Sequence, residues 1–198
     1  MVERAKAKAE RRQLIVNAAI SCFIKNGIHQ TGIREIAKEA NVSLGNMYNY
    51  FSSKDELISA IAVMDGQVIE QFIAAFGSID NPYTMMSTFV DHYLDYMSYV
   101  ENAYLTIDII AETLRNPRVA EQFQSNRQKL TDVLCATIER GIGEGLMREQ
   151  ISIDETVKLF LDVIEGLGLR CGLAHQKPSQ TARKTLQEMI FKMLSPLP

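Results

Sequence analysis

The residues best placed to do chemistry lie between positions 31 and 57, TGIREIAKEANVSLGNMYNYFSSKDEL. Arg34, Asn46 and Asn49 carry the groups that read base edges, Arg suiting guanine and Asn adenine. Leu44 can offer only apolar contact, for instance with a thymine methyl, and Gly45 permits close approach of backbone. Thr31, Ser43, Tyr48, Tyr50 and Lys54 are donors suited to phosphate oxygens, which position a protein on a duplex without reading its sequence. Between these polar residues stand Ile36, Val42 and Met47, apolar where two short helices must pack on each other, and Ala37, small where they cross. Asn41 sits where the turn between them needs a left-handed residue, which Asn tolerates better than most. Ser43 can cap the second helix and turn its free N-terminus toward a phosphate. Two short helices around a tight turn form a helix-turn-helix, whose second helix lies in a DNA major groove.

Other chemistries find little support. His29, His92 and His175 stand in no metal-ligand or triad-like spacing, and Asp91, His92 and Asp95 fall on different helix faces. Gly141, Gly143 and Gly145 lack the following Lys of a phosphate-binding loop. Gly166-x-Gly168 has no strand before it and Cys171 in the third glycine position, so a dinucleotide fingerprint is rejected. Cys22, Cys135 and Cys171 are odd in number, widely spaced and free of a CxxC pair, which fits a reducing cytoplasm rather than a disulfide framework or zinc site. No catalytic residue, cofactor or metal is expected, and the chain is not read as an enzyme.

The elements that must position these residues are helical almost throughout. The chain has 198 residues, 46% hydrophobic and 23% charged, with net charge −3. Residues 1–60 hold nine basic and six acidic residues, and the remainder 12 basic and 18 acidic, so a basic first third joins an acidic body. No run approaches the ~20 apolar residues of a membrane span and no signal peptide is evident, so a cytoplasmic chain without a membrane is expected. Leu14, Ile15, Ala18, Ala19, Cys22 and Phe23 form a helical stripe that Gly27 punctuates. Short helices over 33–40 and 44–50 follow, then one opened by Ser53 with Glu56, a capping box, lasting to Phe76. Asn81-Pro82 and Asn116-Pro117 open helices over 82–100 and 117–140, with another over 103–115 between them. Ser152 with Glu155 predicts a second capping box for a helix over 154–174, and the last spans 180–194. Without alternating strand patterns, the spacing predicts an all-α protein of nine helices.

Gly27, Thr31-x-Ile33-Arg34-Glu35-Ile36-Ala37, and Val42-Ser43-x-Gly45-x-x-Tyr48-x-Tyr50-Phe51-x-Ser53-Lys54-x-x-Leu57 resemble the TetR family of transcriptional regulators across residues 11–57. The resemblance implies phosphate-contacting positions at Tyr48 and Lys54, with Arg34, Leu44 and Asn46 near bases. It implies a three-helix DNA-binding domain over 1–52 and a ligand-binding and dimerisation domain over 53–198. It further implies a regulator, read as a repressor released from a pseudo-palindromic operator by a small hydrophobic or amphipathic effector. An activator or co-repressor-dependent regulator, and a helical ligand carrier without DNA binding, are the alternatives. One departure is Gly32, where the family carries Thr or Ser, and Thr31 is the candidate to replace that hydroxyl. The N-terminal arm, with Arg4, Lys6, Lys8, Arg11 and Arg12, either reaches the DNA backbone or minor groove or is a solvated, disordered tail.

In the body the resemblance is one of layout, a ligand pocket among the middle helices and dimerisation through the last two. Helix five carries two non-polar stripes, Met86, Phe89, Val90, Tyr93, Met97 and Val100 on one side and Met85, Thr88, His92, Tyr96 and Tyr99 on the other. Asp91, Asp95 and Ser98 mark its solvated edge. His92, Tyr93, Tyr96, Met97, Tyr104, Asp108, Arg127, Phe160 and Ile164 are the candidate effector contacts. Asp108 among Tyr rings would suit a cation, or pair with Arg127, or hydrogen-bond His92. For a homodimer, helix eight offers Val157, Phe160, Leu161, Ile164, Leu167, Gly168 and Cys171. Helix nine offers Leu186, Met189, Ile190, Met193 and Leu194, a four-helix bundle across a two-fold axis being the natural solution.

Overall fold

The computed structural model describes residues 2–149 and 152–196. Among them are nine α-helices and no strand: α1 (Val2–Asn26), α2 (Ile33–Glu39), α3 (Leu44–Tyr48), α4 (Lys54–Gly77), α5 (Pro82–Met97), α6 (Val100–Thr113), α7 (Pro117–Gly143), α8 (Ile153–Leu173) and α9 (Gln180–Leu194). The all-α reading holds. Two compact units form, one from residues up to Gly66 with Leu105–Gln124, the other from Gln67–Tyr104 with the residues from Ser125 on. The units do not follow the expected boundary at residues 52 and 53. The first turns of α4 and the segment 105–124 supply Leu57, Ile58, Ile61 and Val119 to the core of the first unit.

Contrary to the expectation from apolar runs, α4 is long and apolar enough to cross a membrane by length and composition alone. Its apolar residues instead go to packing. Leu57, Ile58 and Ile61 enter the first core, and Ile69 and Phe76 the second.

In the first unit α1 buries Ile15, Val16, Ala19, Cys22 and Phe23 against Ile36 and Ala37 of α2, Met47 of α3 and Phe51. Leu14, assigned to the same stripe, is half exposed. α4 begins as expected at Ser53, whose hydroxyl accepts the N–H of Glu56 at 3.2 Å. The reciprocal bond of the capping box falls one residue earlier: Glu56 accepts the N–H and the hydroxyl of Ser52, at 2.7 and 2.9 Å. Those two bonds, with Arg12 and Arg118 nearby, hold the Glu56 carboxyl below its ordinary pKa. The stability it adds is therefore full above the ordinary carboxylate range and is lost as pH falls through its depressed value.

The second unit packs α5 against α8 and α9 around Phe89, Val90, Leu94, Phe160, Leu161, Ile164 and Ile190. α5 ends at Met97, three residues before the expected end, because Ser98 caps it with a bond to the Asp95 carbonyl and Asn102 donates to the Tyr96 carbonyl. α6 then starts at Val100. At α8 the expected capping box is absent: Ser152 makes no side-chain cap, and Glu155 pairs with Lys158 instead. Asp91 and Asp95 are not a free edge. Their side chains are half exposed but paired, Arg183 of α9 bridging both and Gln187 donating to Asp91 at 2.8 Å, while Ser98 of the expected edge is buried.

Close approach of backbones sets the position of α8. A Cβ on Gly168 would lie 2.5 Å from the Cβ of Met97, and one on Gly172 only 2.6 Å from the Cβ of Ala103 and 3.2 Å from two carbonyl oxygens. A Cβ on Gly166 would meet nothing within 4 Å. Gly168→Ala and Gly172→Ala are therefore each expected to cost about 1–3 kcal/mol through overpacking. Gly166→Ala should be neutral or stabilising by up to about 1 kcal/mol from helix propensity. Urea denaturation of the three variants checks the contrast.

Candidate nucleic-acid interface

The turn that joins α2 to α3 is built on Asn41, whose φ of 52° lies in the left-handed region. The N–H of Asn41 reaches the Lys38 carbonyl at 3.1 Å and that of Val42 the Ala37 carbonyl at 2.9 Å. This pair of bonds closes a helix C-terminus as a Schellman motif and frees the chain to re-enter a helix at a fixed angle. Ser43 then caps α3, its hydroxyl accepting the Asn46 N–H at 3.2 Å. With Ile36 and Met47 fully buried, the two helices present one fixed outer face.

On that face Arg34, Ser43, Gly45, Tyr48 and Asn49 are exposed, and Leu44, Asn46 and Tyr50 are half-buried. The side chain of Tyr48 is 52% exposed although it belongs to a hydrophobic type that usually packs. A Cβ on Gly45 would meet nothing within 4 Å, and the residue has no positive φ. Within this chain nothing requires a glycine there, which fits a position reserved for an outside surface.

Two candidates leave the group. Thr31 is buried, and its hydroxyl donates to the Gly27 carbonyl at 2.8 Å and the Cys22 carbonyl at 3.2 Å. It cannot replace the hydroxyl missing at Gly32, which caps α2 with no side-chain bond. Lys54 turns inward: its Nζ donates to the carbonyls of Ile28 at 2.7 Å, Thr31 at 3.3 Å and His29 at 3.4 Å. An ammonium has three donors, and all three have protein acceptors. Sequence position alone could not reveal this, because the acceptors are backbone atoms of a turn 23 to 26 residues away.

That turn, Gly27–Thr31, is held from its other side by Asp108. The carboxylate accepts the Ile28 N–H at 2.9 Å, and its oxygens lie 3.5 and 3.9 Å from where a Cβ on Gly27 would stand. Gly27 has φ of 83°, which a side chain would strain. Arg115 bonds the ring of His29 in the same turn. Asp108 is thus neither an effector contact beside Tyr rings nor a partner of Arg127 or His92. It belongs to the unit that carries α2 and α3.

The remaining effector candidates fall in the other unit, except that they do not all converge. Tyr93, Met97, Phe160 and Ile164 are buried, and Tyr96 is half-buried. Phe72, Phe76, Phe89, Tyr93 and Tyr96 form an aromatic cluster with ring centroids 5.1–6.3 Å apart. Tyr93 donates to Glu165 at 3.0 Å, and Arg127 pairs with Asp162 at 2.6 Å and Glu165 at 3.5 Å. His92 is exposed, touching the cluster only through Phe76 at 5.8 Å. Tyr104 is exposed against His175. The second stripe of α5 therefore does not form a wall, Met85 alone of its members being buried. Beside the aromatics lies an apolar cavity lined by Ile73, Phe76, Met85, Phe89, Leu130, Val133 and Leu134, with about 10 Å³ of open space. That is room for roughly one water.

The N-terminal region, residues 15–61, matches the model of the bacterial regulatory proteins of the tetR family. The HTH-type transcriptional regulator UidR of Escherichia coli K12 is 29% identical over 178 residues, covering 84% of this chain and 85% of its own. Among solved structures, Salmonella enterica GusR superposes with a TM-score of 0.78 at 25% identity over 93% of this chain and 95% of its own. FadR from Bacillus subtilis, solved in complex with stearoyl-CoA, shares the fold with a TM-score of 0.79 at 19% identity, over 91% and 98%.

The inward and outward residues separate in a stability measurement. Thr31→Val and Lys54→Met are each expected to cost about 1–2 kcal/mol, because they remove donors from buried or partly buried carbonyls. Tyr48→Ala, Asn49→Ala and Gly45→Ala should each stay within about 0.5 kcal/mol of the wild type, as chemical denaturation will report.

Proposed function

We propose that the chain is a TetR-family regulator, a ligand-responsive repressor acting as a homodimer on a pseudo-palindromic operator. The observation that carries this is α3. Of its five residues only Met47 is given to the core, while Gly45 and Tyr48 face outward without a partner that explains them. α3 enters the major groove, with Asn46, Asn49 and Arg34 at base edges, Leu44 at a thymine methyl and Gly45 against the duplex. Ser43, Tyr48 and Tyr50 meet phosphates. Two copies so placed need recognition helices about 34–36 Å apart, or a multiple of that, to reach successive major grooves.

The surface left for a second copy is narrower than the helical periodicity predicts. Val157, Phe160, Leu161, Ile164 and Gly168 of α8, and Leu186, Ile190 and Leu194 of α9, are consumed by the chain's own core. Exposed apolar residues remain: Leu159 at 50%, Met189 at 41% and Met193 at 36%. Leu159 is followed at helical spacing by half-buried Val163 and Gly166. These flanks of α8 and α9 support dimerisation through the last two helices.

The effector enters the aromatic unit among α5, α7 and α8, where Tyr93, Tyr96, Met97, Phe160, Ile164 and Arg127 supply an apolar wall with one polar edge. In the cavity lined by Phe76, Met85, Phe89 and Leu134 the open space is about 10 Å³, so a ligand entering there must part those side chains. It therefore selects an expanded conformation. α4 runs from this unit into the one that carries α2 and α3, and its displacement changes the separation of the two recognition helices. The ligand weakens DNA binding only by as much as it prefers the conformation that cannot dock. The protein acts in the cytoplasm, where its operator is.

Selection of bound duplexes from a random pool is expected to give a palindromic consensus. Asn46→Ala should relax preference at one base pair per half-site by about 1–3 kcal/mol. Leu159→Lys with Met189→Lys should yield a folded monomer in sedimentation that no longer selects the consensus. Uniform weakening by Asn46→Ala across all sequences contradicts its role as a base reader.

A further inference from the structure

The first turns of α1 carry a charge pattern that the helix-turn-helix alone does not use. α1 is helical from Val2, and residues 3–14 are all exposed, so the arm is a projecting helix rather than a disordered tail. At 3.6 residues per turn, Arg4, Lys8, Arg11 and Arg12 lie on one face. Further along the chain that same face carries Ile15, Ala19 and Cys22 into the core with α2 and α3. The acids Glu3 and Glu10 fall on the opposite face with Lys6, Gln13 and Asn17. The inward face of α1 thus changes from apolar to basic where the core ends; no acid of α1 interrupts it, and Glu56 of α4 lies near Arg12. Arg12 fixes its direction, its guanidinium stacking over the ring of Phe51, 4.7 Å from the centroid and three residues beyond α3.

We infer that this basic face of α1 is a second DNA-contacting surface, which holds the phosphate backbone beside the groove that α3 occupies. The inference rests on α3 binding duplex DNA. A helical stripe of four cations with its acids turned away is complementary to a surface bearing one negative charge per about 1.7 Å. The stretch from Arg4 to Arg12 covers about 12 Å at 1.5 Å per residue, enough to follow several of those charges. Being already helical, it pays less ordering entropy on binding than an unstructured arm would. Interactions of this kind add affinity for any sequence and carry no base preference.

The test is fluorescence anisotropy on a labelled duplex of arbitrary sequence, titrated with the full chain at several salt concentrations. Arg4→Gln, Lys8→Gln and Arg11→Gln are combined in one variant, leaving Arg12 on Phe51. The slope of log K against log salt is expected to fall by about 2–3 for each protomer bound, at roughly 0.9 for each phosphate that is no longer neutralised. Lys6→Gln on the opposite face should leave the slope at the wild-type value. A variant that keeps the charge, Arg4→Lys with Arg11→Lys beside the native Lys8, should retain the wild-type slope, and circular dichroism should show unchanged helix content throughout. A triple variant with the wild-type slope overturns the inference while leaving α3 as the DNA reader, provided Tyr48→Ala with Asn49→Ala still weakens binding. A wild-type chain that shows no salt-dependent binding overturns both.

Discussion

A backbone turn that leaves no room for unsatisfied polar groups governs how the DNA-facing helices are held. Between α1 and α2 the chain reverses through Gly27–Thr31, and a buried N–H or carbonyl without a partner costs about as much as a lost hydrogen bond. Two side chains from distant positions and one of the turn's own meet that demand. Asp108 takes the Ile28 N–H, Lys54 takes three carbonyls, and the Thr31 hydroxyl takes two more. An anion on the N–H side and a cation on the carbonyl side fix the turn, and the turn fixes where α2 begins. From there Asn41 and Ser43 set the angle at which α3 leaves. The presentation of Arg34, Tyr48 and Asn49 to solvent is therefore the far end of a chain of backbone constraints, not a property of α3 alone.

That dependence explains which parts are legible in the sequence. Local signals hold: the left-handed Asn41, the caps at Ser43, Ser53 and Asn81, and the Pro at the start of α5. These work through neighbours within a few residues, so spacing reveals them. The outward positions of α3 are legible as well, since only Met47 has the type and phase to be buried. Assignments that turn on a partner far along the chain do not hold. Lys54 and Asp108 look like free polar groups in one dimension, and only folding brings the turn to them, whereas Thr31 bonds within its own turn and to the end of α1. Asp91 and Asp95 resemble a wet edge for the same reason, their partners Arg183 and Gln187 lying about 90 residues away.

The body shows the limit of periodicity in another form. Helical spacing identifies an apolar stripe but not what covers it. Val157, Phe160 and Leu161 pack within their own chain, and the apolar side chains left exposed are Leu159, off the expected α8 stripe, and Met189, a member of the expected α9 stripe. Likewise α5 is buried along one stripe where two were expected, and His92 and Tyr99 reach solvent. An aromatic cluster around Tyr93 and a polar edge at Arg127, Asp162 and Glu165 remain of the expected effector site. They are closely packed, so any ligand entering here has to expand the core.

If the outer face of α2 and α3 meets DNA, the turn before it must stay a fixed support while that face changes its surroundings. Nitrogen-15 amide spectra of the full chain, recorded with and without its selected duplex, separate the two. Large shifts are expected at Arg34 and from Ser43 to Tyr50, with the Ile28 and Thr31 amides little moved because their bonds are intact in both states. Shifts centred on the aromatic unit, or an undisturbed α3 with the duplex bound, would contradict this picture of the interface.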